Sequence, residues 1–496
     1  MALPPNPPSI DDIRKQVYEM LDGLGNDPQI AATVVFQVRQ DKIPEFDGMR
    51  KDLTAATLPR EGCETFVFHR HNCSPWHTDP PDTETYLIYE RWRSVGQFRG
   101  QWDSDELKRF QYAVGPMLAP GSFPDLNFYC DAPVTGGKHS SRVLRTGQEK
   151  CWDANGNVVT GDAARGQDGF FKAGVDWPRP RYTVNRGYTV TDGRTGLTWL
   201  KDADFFKHVT WAQALSKIEE LNAGKHGLDD GLGGKWRLPN VNELQSILDL
   251  SQEEGPAVRD EQHVFDNLDT VNYWTASSVA LVPPTPLGWY TAMAVGVPVF
   301  DLKPNRMHMW PVKGESRVVM RTGQTQCWDE WGKPISCAGS GQDGELQTGR
   351  PWPHHRFHDN HDGTVTDHLT RLTWLKHADA FPQGTMSWHD ALRACNSLRA
   401  GSFPWLNDGS KEHDWRLPNL HELRSLVDYD RTIPALPEHH PFEGVRPSLY
   451  WSSTTVPSQP NQARFVFIGI GPSVWDHKSV LLGVWPVKGG VTKGKP

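Results

Sequence analysis

An internal repeat constrains the fold of this chain more than any other feature of its sequence. KWRLPNVNEL at Lys235–Leu244 returns as DWRLPNLHEL at Asp414–Leu423. RTGQEKCWD returns as RTGQTQCWD, TVTDGRTGLTWLKDAD as TVTDHLTRLTWLKHAD, and GQDG and WPVKG return unchanged. The copies are 175 to 179 residues apart, whereas a solenoid repeat is roughly 20 to 50 residues long. The sequence therefore predicts two tandem domains of one fold with separate cores, over residues 140–315 and 316–490.

Each copy contains one strongly amphipathic helix pattern. The apolar residues of TWAQALSKIEEL and SWHDALRACNSL recur at helical spacing, and Thr210 and Ser387 stand at the N-cap positions. Cys395 takes an apolar position of the second pattern, so we interpret it as a buried thiol rather than a reactive one. Short alternating runs between Gly- and Pro-rich segments follow, which favours an α+β plan.

The WRLPN motif is interpreted as a folding signature. Asn240 and Glu243 have the spacing of a capping box that starts a second short helix, and the other copy repeats both residues. Trp236 and Trp415 stand just before the helix start, next to Leu, where the chain must be fixed. The alternative is that these Trp rings are exposed platforms for a ligand.

The ordered motifs resemble those of the Lcl C-terminal domain family over nearly all of residues 140–490. The resemblance implies a C-type-lectin-like fold and ligand binding, with glycans or glycosaminoglycans as the best-known ligands, and it does not imply catalysis. Many relatives carry two cysteines ten residues apart, as Cys327 and Cys337 do here, but the first copy has Cys151 and Gly161. Because the seven cysteines are odd in number and form no CxxC pair, we expect reduced thiols.

Residues 28–136 show no trace of the repeat and form a head of different design. The strand patterns IAATVVFQVRQ, CETFVFHRH, TETYLIYERW and DLNFYC alternate with two helical stretches in the order β-α-β-β-α-β. This order predicts a ferredoxin-like fold. Residues 1–27 and 491–496 are predicted to be an arm and a tail.

The segments REGCETFVFHR and YLIYERWRSVGQF resemble the antibiotic biosynthesis monooxygenase family of dimeric α+β barrels. The resemblance implies a homodimer. The family includes cofactor-free oxygenases and haem-degrading enzymes. Trp102 lies close to the pocket Trp of the haem-degrading members, but Tyr112 replaces their haem-ligating His and Val34 their first-strand Asn. Haem chemistry is therefore disfavoured. A head pocket would be lined by Trp102, Tyr112, His69 and His71.

Two groups of residues suggest metal sites. His69, His71 and His77 have spacing that suits a transition metal, but we favour the alternative of a polar strand face that runs into a surface loop. The second group suits calcium and consists of Asp359, Asn360, Asp362 and Asp367. Its alternative is a hairpin turn at Asp362 and the following Gly, which also explains the first copy, where carboxylates are missing. No other cofactor is expected.

Charge and hydropathy exclude further classes of protein. The net charge of −8 argues against a general nucleic-acid binder. No run of about 18 apolar residues could span a membrane, and the first residues do not read as a secretory signal. These observations predict a cytoplasmic protein, although many relatives of the repeats look secreted.

Three functions fit the sequence. The first is a non-enzymatic protein that binds a carbohydrate and is paired by a dimeric head, so that duplicated sites raise avidity. The second is a cofactor-independent monooxygenase that acts on a small aromatic or quinol substrate in the head. The third uses the repeats to bind another protein.

Overall fold

The computed structural model describes residues 29–61, 63–70, 83–118, 125–131 and 142–490, together with Arg14 and Val17. Within the last range it leaves out residues 179, 186, 229–232, 259, 261–262, 282–284 and 382–383. The chain divides between Gly137 and Lys138 into a head and a repeat unit. No described helix is both long and apolar enough to cross a membrane.

The head is a four-stranded antiparallel sheet with helices between its strands, in the strand order β2-β3-β1-β4. This is the predicted ferredoxin-like plan of α and β elements. The elements are β1 (Gln29–Arg39), α1 (Ile43–Thr57), β2 (Cys63–Arg70), β3 (Thr83–Trp92), α2 (Val95–Trp102), α3 (Asp105–Val114) and β4 (Asp125–Asp131).

Every second residue of β3 points to the core of the head. Tyr86, Ile88, Glu90 and Trp92 are all buried, as expected for the two-residue period of a strand. Four aromatic side chains of the helices, with Trp102 among them, pack in the same cluster. One acidic residue therefore lies on an otherwise apolar inner face.

The described residues of the first copy form a hairpin, a four-stranded sheet, three α-helices and a three-stranded sheet. Its elements are β5 (Cys151–Trp152), β6 (Val158–Val159), α4 (Asp168–Phe171), β7 (Tyr182–Val184), β8 (Thr189–Asp192), β9 (Thr198–Leu200), α5 (Trp211–Asn222), α6 (Val241–Ser246), β10 (Asn272–Ser278), β11 (Leu287–Ala292), β12 (Val297–Leu302) and β13 (Val312–Lys313). The last strand returns to pair with β9.

The second copy repeats this plan and adds one short strand to its larger sheet. Its elements are β14 (Cys327–Trp328), β15 (Pro334–Ile335), α7 (Asp343–Leu346), β16 (Phe357–Asp359), β17 (Thr364–Asp367), β18 (Leu372–Leu375), α8 (Trp388–Ser397), β19 (Trp415–Arg416), α9 (Leu420–Arg424), β20 (Leu449–Val456), β21 (Gln459–Phe467), β22 (Ser473–His477) and β23 (Val487–Lys488).

The start of each copy packs against the other copy. We call residues 142–177 and 316–352 the leading segments, and residues 178–315 and 353–490 the bodies. In the first leading segment, the Gln148 amide exchanges hydrogen bonds of 2.8 and 2.9 Å with the backbone of Thr455. In the second, the Gln324 amide does the same with Ser278, at 2.7 and 2.9 Å. Each segment also bonds its own body, where Leu250 N–H donates to the Thr146 carbonyl oxygen at 2.7 Å and Tyr429 N–H to that of Thr322 at 3.0 Å. Both leading segments therefore lie between the two bodies, and we call their contacts with the opposite body the exchanged contacts.

Buried carboxyl groups hold both exchanged contacts. Asp168 accepts hydrogen bonds from Thr146 (2.6 Å) in its own segment and from Thr454 (2.7 Å) in the other body. Its twin, the residue at the same place in the second copy, is Asp343, which accepts from Ser277 at 2.5 Å and from a leading-segment Thr at 2.8 Å. Each carboxyl group thus joins one leading segment to the opposite body.

The expectation that the two copies have separate cores was wrong. A single cluster of buried apolar residues contains Val143 and Val319 of the leading segments together with Trp310 and Trp485 of the two bodies. The physical reason is that both leading segments contribute apolar side chains to this one cluster, which joins the cores of the two bodies. The repeat unit is one folded body.

The folding role of the WRLPN motif is confirmed. Asn240 and Glu243 form a capping box at the start of α6, and the other copy forms the same box at α9. Trp236 and Trp415 are 7 and 0% exposed. The motif also contains a feature that the sequence analysis missed, because Arg237 forms a buried ion pair of 2.7 Å with Glu243, which the second copy repeats.

The expectation that all cysteines are reduced was wrong for one pair. Cys327 and Cys337 form a disulfide. The hairpin β14–β15 brings the two thiols together because it folds the chain back between them. Cys395 is fully buried on α8 as predicted, and Cys151 is a buried free thiol.

Candidate functional site

The described residues do not assemble the predicted head pocket. Trp102 is 3% exposed and lies in the core, with its ring 5.9 Å from that of Phe98 and 5.4 Å from the guanidinium of Arg14. Tyr112 is 53% exposed on α3. His69 lies in β2, but its side chain is outside the described part of the chain. His71 lies wholly outside that part. Trp102 is thus a core residue, whereas Tyr112 lies on the surface of α3.

Glu90 is the head residue that the sequence analysis missed. Burial raises the pKa of Glu90 to about 7, and the hydrogen bond from the Trp92 indole opposes this shift. The indole Nε1 donates to Glu90 Oε2 at 2.9 Å. An acidic residue at an inward position of the alternating TETYLIYERW strand was the available signal.

The residues considered for calcium have other partners. Asp367 forms a buried ion pair with Arg356 at 3.1 Å, and Asp359 pairs with Lys376 at 3.0 Å. Asp362 Oδ1 accepts from the backbone and hydroxyl of Thr364, at 3.0 and 2.6 Å, and the Asn360 amide also bonds this Thr. The segment connects β16 to β17 as a turn, so we do not carry the calcium hypothesis forward.

Within the described part of the chain, no three His, Cys, Asp or Glu side chains are grouped to hold a metal ion. The suggested ligands His71 and His77 lie outside that part. The transition-metal hypothesis therefore stays a prediction.

A surface hairpin of the second copy presents a large apolar side chain to solvent. Trp331 is 70% exposed at the turn between β14 and β15. The Asp329 carboxylate shapes this turn by accepting from the backbone N–H of Trp331 at 2.9 Å and of Lys333 at 2.8 Å. The disulfide between Cys327 and Cys337 closes the hairpin at its base.

The hairpin is fixed to the first body by a buried amine. Lys303 Nζ donates to the backbone oxygens of Trp328 and Asp329, at 3.1 and 3.0 Å, and lies 3.8 Å from the ring centroid of Trp211. Burial lowers the pKa of Lys303 to about 7. At the turn, Gly332 lies so close to the backbone of Thr285 that a Cβ would be 2.6 Å from its carbonyl carbon. The tip is thus held by contacts on both sides.

The twin hairpin β5–β6 also has a buried amine beside it, because Lys478 lies 4.1 Å from the ring centroid of Trp388, but it lacks the exposed Trp and the disulfide. Asn155 occupies the place of Trp331 and receives the same turn hydrogen bond, from its N–H to Asp153, at 2.9 Å. Cys151 has no disulfide partner, because Gly161 stands at the place of Cys337. The two hairpins share a backbone plan and differ in what they expose.

A cavity of about 60 Å³ lies where the two copies meet. Its lining consists of matched residues from the two leading segments and from α6 and α9, which are Val143, Leu144, Asn242, Gln245, Ser246, Val318, Val319, Met320, His421, Arg424 and Ser425. Sequence reasoning missed this cavity because it treated the copies as separate domains. A comparison of the two copies residue by residue would have marked His421 and Arg424, which replace Asn242 and Gln245.

The model of the Lcl C-terminal domain family matches residues 188–313 and 363–488. These two matches cover half of the chain, so the chain belongs to this family. They lie within the two bodies, and the leading segments stand before each of them.

Solved structures of small proteins are also similar to part of the chain. A Caulobacter crescentus protein assigned by name to the antibiotic biosynthesis monooxygenases is 19% identical, with a TM-score of 0.19, and the match covers 23% of this chain and 97% of that one. A conserved Methanosarcina mazei protein is 22% identical, with a TM-score of 0.18 and coverage of 21% and 92%. No curated protein matches the sequence.

Proposed function

We propose that this chain is a non-enzymatic carbohydrate-binding protein, and that the Trp331 hairpin of the second copy is its binding surface. The proposal includes the C-type-lectin-like fold that the family resemblance implies. The single observation that carries it is a Trp ring 70% exposed on a hairpin with a disulfide, where the otherwise similar twin presents Asn155.

The physical support is the unfavourable hydration of an exposed indole. Trp is the most apolar surface that a single side chain can offer, and it also carries one N–H donor. The apolar C–H face of a sugar ring can cover such a surface, while exposed Glu330 and Lys333 on either side offer partners to the hydroxyl groups. Exposed anchors of this kind contribute most where they are held rigid, because less conformational freedom is lost on binding. The disulfide and Lys303 provide this rigidity.

The test is a titration of the full chain with cellohexaose, chitohexaose and heparin, in which calorimetry measures binding. We expect at least one of them to bind, and Trp331→Ala to weaken that binding by about tenfold or more. Asn155→Ala is the matched control, because it changes the same turn position in the other hairpin and should leave the affinity unchanged. If none of the three binds, or if Trp331→Ala binds as tightly as wild type, the hairpin is not a carbohydrate site.

We also propose that the head pairs two chains, which would place two such hairpins in one particle and raise avidity. The inner face of β3 is covered by the head's own helices. Val67, Leu87 and Tyr89 alternate in sequence with buried residues of β2 and β3, so the two-residue period of a strand predicts that they belong to the opposite face. Sedimentation of the full chain at tens of micromolar should give the mass of a dimer, and Leu87→Glu should give a monomer. A wild-type monomer would contradict this part of the proposal.

A further inference from the structure

A pair of adjacent histidines in the second copy brings two ring nitrogens together at the surface. His354 and His355 occupy a turn just before β16, and both side chains are exposed. Nδ1 of the first ring lies 3.2 Å from Nε2 of the second. Because the ring centroids are farther apart, at 4.5 Å, these two nitrogens stand on the facing edges of their rings. The turn therefore offers two neighbouring nitrogens on side chains that solvent can reach.

Neighbours on both sides hold this turn in place. Before it, the Trp352 indole Nε1 donates to the Arg321 carbonyl oxygen at 3.0 Å. After it, Arg356 is buried and forms an ion pair of 3.1 Å with Asp367. The Arg356 guanidinium also lies 4.7 Å from the centroid of the Trp352 ring. Because the chain is fixed on either side of the two histidines, less conformational freedom is lost when they bind a ligand.

The first copy has the same scaffold with different residues in the turn. The Arg181 guanidinium lies 4.8 Å from the centroid of the Trp177 ring and pairs with Asp192 at 2.8 Å. The residues that correspond to the two histidines are Arg179 and Pro180. The fold therefore does not need histidines at these positions, since the twin forms the same flanking contacts without them.

The separation of the two nitrogens suits a metal ion with tetrahedral coordination. Zn²⁺ forms bonds of about 2.0 to 2.1 Å with histidine nitrogens and prefers four ligands in a tetrahedron. Two such bonds to nitrogens 3.2 Å apart meet at an angle of about 99 to 106°, close to the ~109° of a tetrahedron. A right angle, as in octahedral coordination, would need nitrogens about 2.8 to 3.0 Å apart.

We propose that His354 and His355 bind one Zn²⁺ ion through these two nitrogens. Without metal, one of the two nitrogens carries a proton and donates a hydrogen bond to the other. When Zn²⁺ binds, that proton moves to the other nitrogen of the same ring, which leaves both facing lone pairs for the metal. No third His, Cys, Asp or Glu of the described residues completes the site. Water therefore fills the remaining positions, and the ion is exchangeable rather than structural.

The experiment titrates the metal-free full chain with Zn²⁺ and follows binding by calorimetry. We expect His354→Gln and His355→Gln each to weaken the binding of one Zn²⁺ ion by about 10- to 100-fold, because the loss of a direct ligand costs at least as much as the loss of a group that only orients one. Mg²⁺ should not displace this ion, since it prefers oxygen ligands. If Zn²⁺ does not bind, if Mg²⁺ displaces it, or if either variant binds Zn²⁺ as wild type does, the proposal is overturned.

A second pair of adjacent histidines in the same copy provides the matched control. His439 is exposed, whereas Nδ1 of His440 is buried. His439→Asn removes one exposed imidazole, and Asn tolerates the positive φ of 58° at this residue. This variant should keep wild-type affinity for Zn²⁺. Without metal, it and both Gln variants should melt as wild type does, because surface substitutions rarely change stability. If His439→Asn weakens Zn²⁺ binding as much as the Gln variants do, Zn²⁺ binds exposed histidines in general and the proposal is wrong.

Discussion

The two Lcl copies of this chain share their buried polar contacts and differ where they present groups to a partner. Both contain the capping box at the WRLPN motif, the Arg–Glu ion pair behind it and the buried carboxyl group of the GQDG motif. Only the second copy contains Trp331 and the adjacent pair His354 and His355. Sequence identity between the copies thus marks what both need in order to fold, and the differences mark where they have become specialised.

The largest expected effect tests whether the copies are one folded body. Trp415→Ala should lower the free energy of unfolding by about 3 to 5 kcal/mol, because it empties a fully buried site. Trp236→Ala should cost a similar amount. Because the core is shared, we expect one unfolding transition of the repeat unit in urea, and each variant should shift all of it. Two separate transitions, of which each variant moves only one, would restore independent domains.

The second effect compares the buried carboxyl groups of the two exchanged contacts. Burial raises the pKa of Asp343 to about 7 and that of Asp168 to about 6. A pKa above the unfolded value means that the folded state keeps the proton, so the stability from this group is present at low pH and is lost as pH rises through 7. Asp343→Asn should therefore gain stability over wild type between pH 5 and pH 8.5, by roughly 2 to 4 kcal/mol.

Asp168→Asn is the matched control for this pH effect. Its gain should be smaller and should level off about one pH unit lower, near pH 6, since the pKa of Asp168 is lower. Urea denaturation at several pH values measures both variants against wild type, so that other titrating groups cancel. Equal stability differences at pH 5 and pH 8.5 would show that neither carboxyl group retains its proton.

A smaller effect concerns the disulfide that only the second copy forms. Cys337→Gly copies Gly161 of the first copy and should cost about 2 to 3 kcal/mol under oxidising conditions, as expected for a short closed loop. The cost should vanish in a reducing buffer, because wild type then lacks the bond as well. If the same loss persists with reductant, the side chain of Cys337 stabilises the fold without the bond.

The smallest effect separates the exposed Trp from the buried ones. Trp331→Ala should change the free energy of unfolding by less than about 0.5 kcal/mol, as do most surface substitutions. It should also reduce the fluorescence that acrylamide quenches in the repeat unit, because Trp331 is the most exposed of the described Trp residues. A large loss of stability would mean that the indole packs against the protein.

Residue patterns predicted local structure well and the sites poorly. The helix around Cys395 and both capping boxes were predicted, because side chains close in sequence determine them. Trp102 was assigned to a pocket, although the packing of Phe98 and Arg14 makes it a core residue. The facing nitrogens of His354 and His355 were overlooked, because contacts with distant parts of the chain hold the turn that brings them together.

By itself, the sequence determined that one fold occurs twice and that a ferredoxin-like head precedes both copies in the chain. Repeated motifs and the order of strands and helices are local patterns, so they can be read from the sequence. Only the tertiary structure decided which leading segment closes which body. The motifs RTGQ and GQDG are the same in both copies, so either segment has the groups to fit either body. The second leading segment follows the first body directly and packs on it, and the first then closes the second body. Each segment also bonds its own body. Contacts between residues far apart in the chain therefore decided this placement, and local sequence patterns do not record such contacts.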